Sequence, residues 1–235
     1  MYIGAITRTS PEIIKGFQNL LDKHDSVTCA VSDCLGRYNA MTGDMRPLFP
    51  GIRLTGTAVT VKTLASDLGA VFKAIDLCRP GDIIVVDARG SLNTAFWGEN
   101  MTLSAINQGV LAAVIDGAVR DVEEIIKIGF PVLSKGIVPN VAAVVAYGHV
   151  NVTVQCAGVS VSPGDAVIID GNGVVVVPRE DAQDILDKTR MLMGRERLIT
   201  EKLQNEKTTI GRLVNIDRIA TANFDYQILA TEQEG

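Results

Sequence analysis

Histidine and cysteine are scarce in this chain, and their scarcity narrows its chemistry. Among 235 residues there are two histidines, His24 and His149, and four cysteines, Cys29, Cys34, Cys78 and Cys156. No C-x-x-C pair occurs, so a structural zinc site is not expected and the cysteines read as reduced, mostly buried thiols. Basic residues are scattered over a chain of net charge -5 and pI near 5.1, which leaves no electrostatic footprint for nucleic acid. The stretch "MYIGAITRTSPEII" lacks the charged-then-apolar layout of a signal peptide. No apolar run is long enough to span a bilayer. The strongest candidate, "VAAVVAYGHVNVTV", is broken by Gly148, His149 and Asn151. Neither G-x-G-x-x-G nor G-x-x-x-x-G-K-[ST] is present, which argues against a Rossmann-type nucleotide or methyl-donor site. Repeats, low-complexity tracts and polar linkers are also missing. A cytoplasmic protein with neither a nucleic-acid nor a membrane partner is the expectation.

What is present is a composition of 47% hydrophobic and 21% charged residues, suited to a substantial core. "SPEIIKGFQNLLDKH" has helical spacing, Ser10 as N-cap and Pro11 in the first turn. "VTCAVSDCLGRYNAMTGDMRPLFPG" starts apolar and then becomes loop-like. "IRLTGTAVTVKT" reads as a strand, and "DLGAVFKAIDLC" as a helix capped by Asp67. "GDIIVVDARG", "VLAAVIDGAV" and "FPVLSKGI" read as strands, with helices in "WGENMTLSAINQG" and "DVEEIIKIG" between them. This alternation predicts α/β layering. Beyond residue 150 the texture is strand and turn, with "DGNG" the tightest hairpin signal. "REDAQDILDKTRMLMGRERLITEKLQNE" then reads as a long charged helix. One domain over residues 1–235, with helical arms at about 10–24 and 179–206, is the expected organisation.

The chemistry concentrates where two of these strands turn into helices. Gly98 opens one helix, and Arg120, Asp121 and Glu124 open the next. Ligands of open α/β sheets gather at the carboxyl ends of strands, and helix N-termini present free N–H groups to anions. A side-chain-free Gly98 lets an anion approach those groups closely. Arg120 is suited to grip a carboxylate through a bidentate pair. Asp121 and Glu124 are hard oxygen donors suited to Mg²⁺ or Mn²⁺, with one direct ligand and one acting through water. A bland alternative stands beside this. D-x-x-E at a helix start is also a capping-box arrangement, with Asp121 as cap and Glu124 reaching back. Trp97 reads as core rather than as a substrate platform.

"WGENM", "GVLAAVIDGAVRDVEEI", "FPVLSKG" and "VSPGDAVIIDGNGVVVVP" together resemble the RraA-like family. They are most similar to its branch of 4-hydroxy-4-methyl-2-oxoglutarate / 4-carboxy-4-hydroxy-2-oxoadipate aldolases. The resemblance runs from about residue 26 to the terminal helix, and its signature is met by Gly98, Arg120, Asp121 and Glu124. It implies an α/β, swivelling β/β/α (RraA-like, phosphohistidine-domain-like) fold with N- and C-terminal helical extensions. It also implies a homotrimer or hexamer with the active site at the subunit interface. By the same resemblance, Arg120 binds the carboxylate of a small 2-keto acid. Backbone N–H groups of Gly98, Glu99, Asn100 and Met101 bind that carboxylate or the keto oxygen, and Asp121 ligates the metal. Glu99 stands where relatives often carry Asp. Asp33 and Glu196 are the implied contributions of a neighbouring subunit. The implied activity is a divalent-metal-dependent aldolase that releases pyruvate from 4-hydroxy-2-keto diacids and decarboxylates oxaloacetate. The alternative is a non-catalytic RraA-type regulator that binds an RNA-degrading enzyme. Such regulators are shorter and lack the full acidic set.

Overall fold

The structure is a computed structural model and describes residues 1–64 and 66–223. It opens with β1 (Tyr2–Ile3), α1 (Pro11–Leu21), α2 (Val27–Cys34) and β2 (Arg46–Pro47). Strand and helix then alternate through β3 (Leu54–Lys62), α3 (Gly69–Leu77), β4 (Asp82–Ala95), α4 (Glu99–Asn107), β5 (Ala112–Val119), α5 (Val122–Ile128) and β6 (Val132–Ile137). Next come β7 (His149–Val150), the hairpin of β8 (Val154–Cys156) and β9 (Val159–Val161), and the hairpin of β10 (Ala166–Asp170) and β11 (Gly173–Val177). The described helices end with α6 (Ala182–Asn205), α7 (Ile210–Val214) and α8 (Ile216–Asn223).

The main sheet runs β1-β7-β3-β4-β5-β6-β2, with β10 pairing both β3 and β11. β3, β4, β5 and β6 are parallel, and each crossover carries the helix that a parallel connection requires. Successive residues point to opposite faces of the sheet. Val59, Val61, Ile84, Val86 and Ile115 pack with residues of α3, α4 and α5. Ala58, Ile83, Val85 and Val114 pack beneath the separate β8–β9 sheet. Helices on one face and a β layer on the other give the expected β/β/α arrangement. Each fully buried Val or Ile contributes about 1.5–3 kcal/mol, so this double-sided core is the main source of stability.

Two carboxylates hold the β8–β9 layer down. Asp87 and Asp116 lie side by side on paired strands. Asp87 Oδ2 accepts from the Gln155 N–H at 3.4 Å, and Asp116 Oδ2 accepts from the Ala157 N–H at 2.9 Å. Lys135 Nζ sits 2.9 Å from Asp116 Oδ1. An unpaired buried carboxylate would be costly, so these partners matter as much as the charge.

Several local expectations are met. Ser10 caps α1 by accepting from the Ile13 N–H. Gly98 is the N-cap of α4, and "DGNG" turns β10 into β11. Helix α2 differs: the segment that reads as apolar and then loop-like is helical over Val27–Cys34. Ser26 makes no side-chain cap there. The cap comes from Asp170, which accepts from Thr28 N at 2.8 Å and Thr28 Oγ1 at 2.6 Å across the fold.

Asp67 also departs from expectation. The N-cap of α3 is Leu68, with no side-chain cap bond. The Asp67 carboxylate accepts instead from Gly69 N, Val145 N, Ala146 N and Tyr147 N at 2.8–3.0 Å. Most of its effort goes into the connection after β6, where Ala146 takes a left-handed φ of 68°.

The chain divides into two compact units, Met1–Arg190 and a second beginning at Met191. Helix α6 starts in the first and continues in the second. Leu186 packs on α1, where a Cβ at Gly16 would lie 2.4 Å from Leu186 Cδ2. Ala65 and residues 224–235, the end of the domain expected over 1–235, lie outside the described residues. Among the described residues no helix is long and apolar enough to cross a membrane.

Burial alone would raise the pKa of Asp67, but its backbone donors outweigh burial and lower it from 3.8 to about 2. A carboxylate depressed in the folded state stabilises above its unfolded pKa, and that stability is lost as pH falls through the folded value. Asp67→Asn should therefore cost about 2 kcal/mol near neutrality. Urea unfolding followed by circular dichroism should show the two proteins converging between pH 4 and pH 2. A constant difference over that range would contradict the role given to the charge.

Candidate active site at the start of α4

Three strand ends build this site. β4 delivers Ala95 and then Trp97 and Gly98, β5 delivers Arg120 and Asp121, and the connection after β6 delivers Val141, Ala142 and Val144. Trp97 is buried as expected. Its ring stacks on Phe130 with centroids 6.2 Å apart, and its Nε1–H donates to Thr102 Oγ1 at 2.8 Å. The Trp97 carbonyl accepts from Arg120 N at 3.0 Å, locking the two segments together just before both turn into helices.

Gly98 is needed for space rather than for backbone freedom. Its φ of -163° is extended and open to any residue. A Cβ at that position, however, would lie 2.5 Å from Asp121 Oδ2 and 3.3 Å from Arg120 Cγ. The vacant volume lets the Asp121 carboxylate reach α4, where Oδ2 accepts from Glu99 N at 3.1 Å. Arg120 Nε lies 3.5 Å from the same oxygen, with the two side chains 37% and 35% exposed.

The capping-box alternative is not what the structure shows. Asp121 is the N-cap of α5 but makes no side-chain bond to its own helix. Its backbone is left-handed, φ 55° and ψ 41°, unlike the extended geometry of an ordinary cap. That conformation costs a non-glycine residue about 1–2 kcal/mol. Here it accompanies a carboxylate aimed at α4.

On α4, Thr102 N is the donor that returns to Gly98 O, at 3.1 Å. The N–H groups of Asn100 and Met101 lie in the first turn, where a helix offers no carbonyl acceptor. Glu99 N is already committed to Asp121. Of the N–H groups expected from Gly98 through Met101, Glu99's is thus occupied and those of Asn100 and Met101 stay available to an anion. The cavity in front of them has a volume of about 240 Å³ and is lined by Gly98, Asn100, Met101, Arg120 and Asp121 on its polar side. The free N–H groups and the guanidinium give this end hydrogen-bond donors for an anion.

The other expected site residues lie elsewhere. Glu124 is half-buried on α5 and Glu99 half-exposed on α4, and neither lines the cavity. Asp33 is exposed on α2, beside Arg37 at 3.6 Å, and borders a different hollow next to Asn172 and Gly173. Glu196 is exposed on α6, within the second unit. Unexpected from sequence are the apolar wall residues Leu68, Phe72, Val141 and Val144. The signal for Val141 and Val144 was present in "VAAVV", an apolar run that the structure leaves exposed at Val141, Val144 and Val145.

No group of three or more metal-ligating side chains occurs among the described residues. The donor set suits a hard cation held lightly. Asp121 presents a partly exposed carboxylate to the cavity, with Oδ2 accepting from Glu99 N and Oδ1 accepting no hydrogen bond among the described residues. Mg²⁺ commonly takes one or two carboxylates and completes its shell with water and substrate oxygens. The residues present therefore fit such an ion.

Gly98→Ala should displace the Asp121 carboxylate and cost about 1–3 kcal/mol, as overpacking does. Urea unfolding and hydrogen exchange at the Glu99 amide check this. Unchanged stability with unchanged Glu99 protection would show that the vacant space is not required.

The RraA-like family, described as Aldolase/RraA, matches residues 28–176. A Thermus thermophilus protein named 4-hydroxy-4-methyl-2-oxoglutarate aldolase is 32% identical over 126 residues, 54% of this chain and 76% of that one. A Halalkalibacterium halodurans protein provisionally given the same name is 30% identical over 192 residues, 80% of this chain and 91% of that one. The crystal structure of Streptomyces coelicolor RraAS2, described as an unusual member of the RNase ES inhibitor RraA protein family, superposes with a TM-score of 0.72. It is 28% identical, and the match covers 83% of this chain and 100% of that one. With the family match spanning residues 28–176 and the fold shared, the chain belongs to the RraA-like family.

Proposed function

We propose that this protein is a divalent-metal-dependent lyase that cleaves 4-hydroxy-2-keto acids, diacids such as 4-hydroxy-4-methyl-2-oxoglutarate among them, to release pyruvate. Decarboxylation of oxaloacetate follows from the same chemistry. The observation that carries the proposal is the meeting of Arg120, Asp121 and the open N–H groups of α4 in one cavity. The aldolase names of the Thermus and Halalkalibacterium relatives support it.

In the cleavage, the C3–C4 bond breaks and its electron pair passes to C3, giving the enolate of pyruvate. The C4 hydroxyl loses its proton as C4 becomes a carbonyl, and C3 takes up a proton. Arg120 binds the substrate carboxylate by a charge-assisted pair. The N–H groups of Asn100 and Met101 face the keto oxygen, where negative charge grows as the bond breaks. These donors are fixed by the Trp97–Arg120 backbone bond and by the Asp121–Glu99 contact, so little reorganisation accompanies the charge shift. Asp121 would hold Mg²⁺ or Mn²⁺ directly, with Glu124 acting at most through water. When bound, the ion supplies Lewis-acid stabilisation of the same oxygen. Asp33 and Glu196 do not line the cavity, so any contribution from them would come from a second copy, in a homotrimer or hexamer. No Schiff base is required, and Lys135 is engaged by Asp116.

The second reading, a non-catalytic regulator of an RNA-degrading enzyme, is favoured by the similarity to RraAS2. Turnover separates the two. With Mg²⁺ or Mn²⁺, pyruvate should form from oxaloacetate and from 4-hydroxy-4-methyl-2-oxoglutarate, and chelation should abolish it. Arg120→Ala should lower kcat/KM by about 10²–10³-fold, with Arg120→Lys recovering part of the loss. Asp121→Asn should remove activity together with its metal response. If pyruvate release persists in the chelated protein and in Asp121→Asn, the assigned roles are wrong.

A further inference from the structure

The cavity in front of α4 has two unlike ends. Its polar end holds Arg120, Asp121 and the α4 N-terminus. Its other end is made of Leu68, Phe72, Val141, Val144 and the Met101 side chain. Among the described residues lining it, Arg120 is the one cation. Beyond Phe72 a second hollow lies between α3 and α4, where the Asp76 carboxylate is paired with Lys73 at 3.6 Å. A substrate anchored at Arg120 by its first carboxylate therefore extends its far end toward hydrocarbon.

The apolar wall is a built feature. The backbone of residues 141–147 is held on the side of Asp67 and β4. Leu68 N donates to Ala143 O at 2.7 Å and Ala143 N to Ser66 O at 2.9 Å. Ala142 N donates to Ala95 O at 3.3 Å, and Asp67 takes the N–H groups of Val145, Ala146 and Tyr147. Gly69 permits this close approach, since a Cβ there would lie 2.5 Å from Ala146 Cα. Held by these backbone bonds, the segment offers Val141 and Val144 to the cavity.

We propose that this wall selects an uncharged aliphatic substituent at C4 of the substrate, so that the preferred class is the 4-hydroxy-2-keto monocarboxylic acids with a short alkyl tail. The inference rests on the aldolase reading above and narrows it. A second carboxylate at the wall sheds water without gaining a donor, which is unfavourable. An alkyl group gains from burial, by about threefold to tenfold in kcat/KM for each methylene that fits. Val141, Val144 and Phe72 are the specificity-determining residues.

The test compares pyruvate release from 4-hydroxy-2-oxohexanoate, which carries ethyl at C4, with release from 4-hydroxy-2-oxoglutarate, which carries carboxylate there. The full-length protein with Mg²⁺ should show at least about tenfold higher kcat/KM for the alkyl substrate. Val144→Arg, at an exposed position that tolerates a long side chain, should reverse the order by supplying the missing cation. Equal turnover, or preference for the diacid in the unaltered protein, overturns the proposal while leaving the aldolase reading intact. Calorimetry reads the same preference without turnover, with 2-oxohexanoate expected to bind at least about tenfold more tightly than 2-oxoglutarate. If neither 4-hydroxy acid yields pyruvate, the aldolase reading fails and the calorimetric ratio alone decides the tail. If Val144→Arg alters the sedimentation coefficient and leaves the substrate ratio unchanged, the wall serves contact between copies and the proposal is overturned.

Discussion

A carboxylate oxygen of Asp121 occupies the volume that a side chain at residue 98 would fill, and the site depends on that substitution of one group for another. The contact spans two separate crossovers of the sheet. It fixes the start of α4 against the start of α5, and it places Arg120 beside the first turn of α4. Asp121 accepts a left-handed backbone conformation in this arrangement. Strain of about 1–2 kcal/mol is modest against a core in which each buried Val or Ile contributes a comparable amount. It is tolerable because the sheet beneath is closed on both faces.

Asp67 plays the matching part on the far side of the cavity. It gathers N–H groups from its own helix start and from the connection after β6. The pKa near 2 measures how firmly those donors outweigh the cost of burial. Satisfying backbone groups internally lets a non-regular segment present hydrocarbon to a cavity without leaving polar atoms stranded. One aspartate thus turns a loop into a wall, as the other turns two helix starts into a binding end.

What was legible in the sequence follows the range of the interactions involved. The strands and the Ser10 and Gly98 caps rest on contacts within a few residues, and those elements stand where local pattern places them. Helix α2 was not legible because its capping carboxylate, Asp170, lies 142 positions further on. Asp67 was read as a helix cap, since nothing local reveals partners 78 to 80 residues away. The pairing of glycine, arginine and aspartate was visible as residue types at two adjacent strand ends. Its physical reason, a steric one acting between Gly98 and Asp121, was not. Glu99 illustrates the same limit. Its position was evident, but the commitment of its N–H to Asp121 depends on a carboxylate from another crossover.

The two faces of the sheet show what separates a structural carboxylate from a chemical one. Asp87 and Asp116 are paired within β4 and β5, and Asp121 stands just beyond the carboxyl end of β5. On the β8–β9 face the covering layer brings its own N–H groups, from Gln155 and Ala157, and Lys135 adds a cation. Those acids are filled and covered, and what they do is hold a layer in place. On the helical face the covering elements are helix starts, which present more donors than one carboxylate can use. After Asp121 takes the Glu99 N–H, donors are left facing an open cavity beside an unburied guanidinium. The excess of donors over acceptors is what makes that end of the sheet receptive to an added anion. The apolar wall opposite then determines what that anion can carry at its other end.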